Sequence, residues 1–229
     1  MSSPPIITRI EPLRPRGLKV RVHLEAGEPF EVTLAALEQH RLGVGDTLPS
    51  DRHHHLLNDD ADIRVRHAAL NLLSYSARTR AELKRRLRQK GFRPARIDLC
   101  LDRLAEKGFI DDEAVAASFV RDRLRHRPRG KVALTSELRA KGVDRDVIEE
   151  TIAKVFEAEE TDDTRIARSV AEKWAARQSG DLLDALVSSD RHDERARARR
   201  RLVAYLTRRG FRGEPLSAGI DRALELARG

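Results

Sequence analysis

The run LKRRLRQKGF at residues 83–92 recurs twice in altered form, as LTSELRAKGV at 134–143 and LVAYLTRRGF at 202–211. In each, leucines stand eight and four residues before a glycine, and an apolar residue follows it: Phe92, Val143 or Phe211. Working outward, Ile97, Ile148 and Leu216 lie six residues after the glycines, and Leu101, Ile152 and Ile220 lie ten after. Leucines four apart share one helical face. A glycine at that distance supplies the left-handed residue that ends the helix. The apolar residues at plus six and plus ten make the stripe of a second helix. Asp144 is a favoured N-cap for it, with Val143 and Ile148 spaced as a hydrophobic staple, and Pro94 suits a first helical position.

A further helix precedes each pair. The apolar spacing predicts it over about 62–74, 112–126 and 162–177, with Ile166, Val170 and Trp174 on one face of the last. Thr79-Arg80-Ala81-Glu82 has the form of a capping box, and Asp111 that of an N-cap. Each unit is therefore a three-helix repeat, and three stand in tandem. A polar insertion at about 178–192 lengthens the third, where 181–187 allow an extra turn.

Residues 1–60 differ. They carry seven basic and nine acidic residues, against 38 and 28 in the remainder. Short runs at 6–10, 18–24 and 30–32 have strand character, and Gly17, Gly27 and Pro29 punctuate them. Residues 34–40 suit a short helix, and 51–62 resemble a linker. The expected organisation is a strand-rich module with linker over 1–60, then repeats over 61–109, 110–159 and 160–229. The fold class is all-α, three repeats in an elongated curved array with a small β-containing N-terminal module.

Composition narrows the function. Charged residues make up 36% and aromatics 4%, and the formal net charge is +8. Of the 45 basic residues 37 are arginine, a planar fork suited to phosphate and carboxylate; a GC-rich genome would give the same bias. One cysteine, Cys100, excludes an internal disulfide. The chain has no apolar run of membrane-spanning length and no secretory start, so a cytoplasmic protein without membrane contact is expected. No phosphate-binding loop, zinc-protease motif or nucleophile elbow is present. Asp111-Asp112 suits a helix start better than a metal. His53-His54-His55 lacks the spacing of a helical metal pair, and Cys100 suits packing. No catalytic residue, metal or cofactor is expected.

Glu82-Leu83, Leu87 and Lys90-Gly91-Phe92, then Leu104 and Gly108-Phe109-Ile110-Asp111-Asp112, then Glu137 through Val143 resemble the RecX family of recombination regulators. Gly108-Phe109-Ile110-Asp111-Asp112 is the most specific piece. The resemblance is strongest over 62–157 and extends to about 226; residues 1–60 resemble a strand-containing extension that some members carry. Val115 replaces a usual aromatic, and Lys131 stands where proline is common. The resemblance implies a non-enzymatic protein that binds RecA and enters the groove of the RecA–single-stranded-DNA filament. There it limits filament growth, strand exchange and RecA's ATP hydrolysis.

Three basic clusters supply candidate contacts: Arg80, Lys84, Arg85 and Arg88; Arg125, Arg127, Arg129 and Lys131; and Arg199, Arg200, Arg201 and Arg208. Each lies on or beside the second helix of its unit, where a stacked array makes a discontinuous basic strip for filament or DNA phosphates. Binding of that kind is salt-dependent and nearly blind to sequence. Solvated helix faces give the same pattern. Few aromatics argue against base-stacking platforms. Glu149, Glu150, Glu157, Glu159 and Glu160 suit either a basic partner or solvent. Nothing resembles a dimerisation helix, so a monomer with weak non-specific DNA affinity is expected. The rivals are a helix-turn-helix regulator with a preferred duplex site, and a helical scaffold without DNA affinity.

Overall fold

The three repeat glycines all adopt the left-handed conformation, with φ of +83° at Gly91, +77° at Gly142 and +89° at Gly210. At each, two hydrogen bonds close the preceding helix in a Schellman motif. Phe92, Val143 and Phe211 donate their amides to Leu87, Leu138 and Leu206, and the glycine amides reach Arg88, Arg139 and Thr207. The leucines at minus eight and minus four are buried in every copy. The capping box is present as well. The Thr79 hydroxyl accepts from the Glu82 amide, and a Glu82 carboxylate oxygen accepts from the Thr79 amide.

The computed structural model describes residues 4–14 and 17–228. Among them are β1 (Ile7–Pro12), β2 (Lys19–Leu24) and β3 (Phe30–Thr33), then α1 (Leu34–Gln39), α2 (Ser50–Tyr75), α3 (Arg80–Gln89) and α4 (Pro94–Glu106). They continue with α5 (Asp112–His126), α6 (Lys131–Ala140), α7 (Arg145–Ala158), α8 (Asp163–Ala175), α9 (Gly180–Val187), α10 (His192–Arg208) and α11 (Gly213–Arg228). The protein is mostly helical, with one antiparallel sheet in the order β1-β2-β3. The stretch at 181–187 is most of a full helix, α9.

The chain forms two compact units. One holds the chain up to Arg78 together with Leu83–Ile110; the other holds Thr79–Glu82 and the chain from Asp111 on. The first unit has two cores. Ile7, Val20, Val22, Val32, Leu37 and Leu48 surround the sheet, joined by Leu56 and Ile63 of α2. Val65 and Ala69 of the same helix pack with Leu83, Leu87, Ile97, Leu101 and Leu104. In the second unit one core runs through α5–α11, from Ala116 and Leu134 to Phe211 and Ala223.

The expected linker at 51–62 is instead helical, the first half of α2. Its polar residues have partners within the first unit. Buried Asp60 accepts the Thr33 amide at 2.6 Å. Asp59 pairs with His40 at 2.8 Å, and Asn58 and Asp62 receive the Arg96 guanidinium. The segment is polar because its side chains bind the sheet module and α4. The histidine triplet lies on this helix: the His53 ring packs 4.4 Å from that of Phe30, and His54 engages the Ser50 carbonyl. Cys100 is buried in the α4 core, and that burial pushes its thiol pKa up.

Within the second unit each receiving repeat binds a helix start in the same way. The Lys141 carbonyl, just before Gly142, accepts the Thr79 hydroxyl at 2.6 Å. The Arg209 carbonyl, just before Gly210, accepts the Gly130 amide at 2.9 Å. Asp112 takes the Arg80 amide at 2.8 Å, and Asp163 takes that of Lys131 at 3.0 Å. The glycines are required for contact and not only for φ. A Cβ on Gly142 would collide with that of Ala81, and one on Gly210 with the backbone and Cβ of Ala133.

Candidate nucleic-acid interface

The basic residues named from the sequence divide into tied and untied groups. In the first unit, Lys84 pairs with Asp98 at 2.5 Å. Arg85 and Arg88 project from α3 into solvent with no ion pair among the described residues. Arg80, in the turn that belongs to the second unit, is half-buried, and its amide is held by Asp112.

Around α5 and α6 most of the cluster is neutralised. Arg123 and Arg129 converge on Glu137, at 2.8 and 3.4 Å. Arg125 and Arg121 both face Glu159, at 3.5 and 3.9 Å. Arg129 also donates to the Arg208 carbonyl at 3.2 Å. The Lys131 ammonium sits 5.0 Å from the centroid of the Phe156 ring. Only Arg127 of the four named residues is exposed without such a partner among the described residues. Three of the acidic residues suggested for a basic partner are thus engaged: Glu159 by Arg121 and Arg125, Glu149 by Arg145 and Glu150 by Lys154.

The third cluster is different. Arg199, Arg200, Arg201 and Arg208 are all exposed on α10, and none forms an ion pair among the described residues. Residues 197, 201, 204, 205 and 208 recur at helical spacing, and they face Trp174 of α8 and Gln178, beyond its end, across an open groove. Arg197, Arg200, Arg201 and Arg208 line it with no carboxylate. Trp174 and Tyr205 lie side by side, ring centroids 6.3 Å apart, and the Arg209 guanidinium covers the Tyr205 ring at 3.7 Å. Partial burial pushes the Arg209 pKa down from its ordinary value, and the neighbouring arginines push the same way.

The one tryptophan and one of two tyrosines border this groove, but with Trp174 buried and Tyr205 covered by Arg209 their placement does not offset the aromatic scarcity. Arg197 and Arg209 belong to the same basic cluster of the sequence, outside the four contacts named from it. Arg197 lies within the same arginine run as Arg199–Arg201. Arg209 precedes the third repeat glycine, and no local signal distinguishes its contact with Tyr205. Such a groove can hold phosphates on its arginines, while its aromatic groups are taken up internally.

No group of three or more His, Cys, Asp or Glu side chains suited to a metal occurs among the described residues. No helix among them is long and apolar enough to cross a membrane.

Comparison with known proteins places the repeats in a family. The model for the first three-helix domain of RecX matches residues 66–104, and that for the second matches 111–152. The regulatory protein RecX of Mycolicibacterium vanbaalenii is 38% identical over 148 residues, which is 65% of this chain and 76% of that protein. The chain belongs to the RecX family. A more distant RecX, from Clostridium botulinum, is 29% identical over 160 residues, covering 70% of this chain and 74% of the relative. A crystal structure of regulatory protein RecX has a TM-score of 0.65 at 21% identity, spanning 95% of this chain and 98% of that one. RecX from Lactobacillus salivarius gives 0.56 at 24% identity, covering 73% and 99%. These relatives carry the name regulatory protein, and the two structures share the fold.

Proposed function

We propose that this RecX-family chain binds RecA and the RecA–single-stranded-DNA filament, and restrains filament growth, strand exchange and RecA's ATP hydrolysis. It does so without chemistry of its own or a cofactor, as a cytoplasmic monomer. The observation that carries the DNA part is the arginine set on α10, without ion pairs among the described residues and bordering a groove that none of their carboxylates lines. Arg85 and Arg88 on α3, and Arg127 after α5, extend the supply of untied cations. Phosphates gathered by such groups release counterions, so affinity falls steeply with salt. Contacts that are weak singly add through effective concentration when both RecA and DNA are engaged.

The test is single-stranded-DNA-dependent ATP hydrolysis by RecA with this protein titrated in. Inhibition well below one protein per RecA is expected. Unchanged hydrolysis at equimolar protein and near-physiological salt would remove the reading. Trp174 is the only tryptophan, so its fluorescence is a second readout. Single-stranded oligonucleotide should change it saturably in the absence of RecA. Preference for one duplex sequence over single strands would favour a helix-turn-helix regulator instead.

A further inference from the structure

The repeat joint is built three times and filled twice. At Gly142 and Gly210 the seat consists of a left-handed glycine, the carbonyl before it and an adjacent helix. Each seat holds a helix start whose alanine presses on the glycine: Ala81 in one, Ala133 in the other. Gly91 has the same conformation and the same Schellman closure, yet nothing among the described residues lies within 4 Å of where its Cβ would be. Beside it is a cavity of about 340 Å³, lined by Leu57, Ala61, Arg64, Phe92 and Arg93 among others. This is within the usual size range for ligand pockets.

We infer that the Gly91 seat docks the first turn of an acidic helix from a partner protein. The shape of the occupant is argued from the two filled copies, which both take a helix start with a small residue in its first turn. Its charge is argued from what differs. Counting thirty residues back from Gly142 reaches Asp112, the carboxylate that holds the incoming amide. The same count from Gly91 reaches Ala61, which lines the cavity. The repeated carboxylate is thus a methyl group here. The rim instead carries Arg93, with no ion pair among the described residues, and Arg64, whose nearest carboxylate is Asp60 at 3.9 Å. Acidic residues are also the ones favoured in a helix first turn.

A second copy of this chain is a poorer occupant. Its two suitable helix starts are already seated internally. The remaining second helix, α10, opens on His192-Asp193-Glu194-Arg195, with no side-chain cap and no small residue in its first turn.

The experiment uses the full chain, isotopically labelled, and a short N-acetylated helical peptide that opens Thr-Glu-Ala-Glu and continues in alanine and glutamine. Saturable amide shifts centred on Gly91, Phe92 and Arg93 are expected, with a scrambled peptide of equal charge inert. Gly91→Asn keeps a residue that tolerates positive φ while adding bulk. Arg93→Glu reverses the rim charge at an exposed position. Each should weaken the peptide at least about tenfold, with shifts elsewhere in the spectrum unchanged as evidence of folding. The inference falls if the peptide at about 1 mM leaves those amides unmoved, or if both variants bind it as well as the parent chain. It also falls if the protein self-associates through this site, with Gly91→Asn restoring the monomer. None of these outcomes touches the arginine surfaces, so the RecA and DNA reading stands or falls separately.

Discussion

The basic cluster around α5 and α6 and the one on α10 look alike in sequence and differ in the fold. The first has six cations between residues 121 and 131, and the second has five between 195 and 201. Around α5 and α6, two glutamates, Glu137 and Glu159, each face two arginines. On α10 the arginines at 197, 199, 200 and 201 have no carboxylate within ion-pair reach among the described residues. The first set spends its charge on holding helices together; the second leaves it available to a polyanion. Charge density in a sequence window therefore measures supply, and long-range partners decide what remains.

The strongest way to break that distinction is paired charge reversal. Arg200→Glu with Arg201→Glu should lower affinity for single-stranded DNA by about tenfold or more, and reduce the slope of log affinity against log salt by about 2. Its folding should be nearly unaffected, because both side chains are exposed. Arg125→Glu with Arg129→Glu should weaken binding by only about threefold and should lower the unfolding midpoint. Equal losses of affinity in the two double variants would show that ion pairing does not separate the clusters.

Neutralising a shared acid sharpens the same contrast. Glu137→Gln removes the negative charge that Arg123 and Arg129 share, leaving Arg123 its 3.1 Å pair with Asp122. The Glu137 contacts are partly buried, and the loss should cost about 1 kcal/mol in urea unfolding. The loss of that negative charge beside the two guanidinium groups should then raise DNA affinity by about twofold at low salt. A variant that loses stability without gaining any affinity would mean that these arginines are too far from bound DNA to contribute.

The repeats were legible because their signals are local. Leucines at minus eight and minus four, a left-handed glycine, and a capping residue all act within one helix and its end, so the glycines at 91, 142 and 210 locate α3, α6 and α10 directly. The first half of α2 was not legible. Asp60 reads as a linker residue until Thr33, 27 positions earlier, supplies the amide it binds. The fate of the cations was hidden for the same reason: Glu159 lies 34 residues beyond Arg125, and no window spans both. Among the candidate residues, Arg85, Arg88, Arg127 and the α10 set remain untied, while Lys84, Arg125 and Arg129 turned out to be engaged. Helical spacing puts Trp174 on one face with Ile166 and Val170, and that face is buried, but no local signal marks it as bordering the Arg200–Arg201 groove.

The smallest effect expected is a pH dependence within the neutralised cluster. Asp163 holds the Lys131 amide through both carboxylate oxygens, at 3.0 and 3.2 Å. Burial pushes its pKa up from the ordinary aspartate value, and this outweighs the lowering by that hydrogen bond and by the Lys131 charge. A carboxyl raised in the folded state keeps its proton to higher pH than in the unfolded chain. Its contribution to stability is therefore present at acid pH and lost as pH rises through the folded value. Asparagine offers the same acceptor without titrating. Unfolding free energies of the parent and of Asp163→Asn, measured from about pH 6 down to about pH 4, should diverge in the parent's favour as pH falls. A constant difference would mean that Asp163 titrates alike in both states. The amide contact would then stabilise the ionised carboxylate as much as burial penalises it, and the joint at Lys131 would owe nothing to protonation.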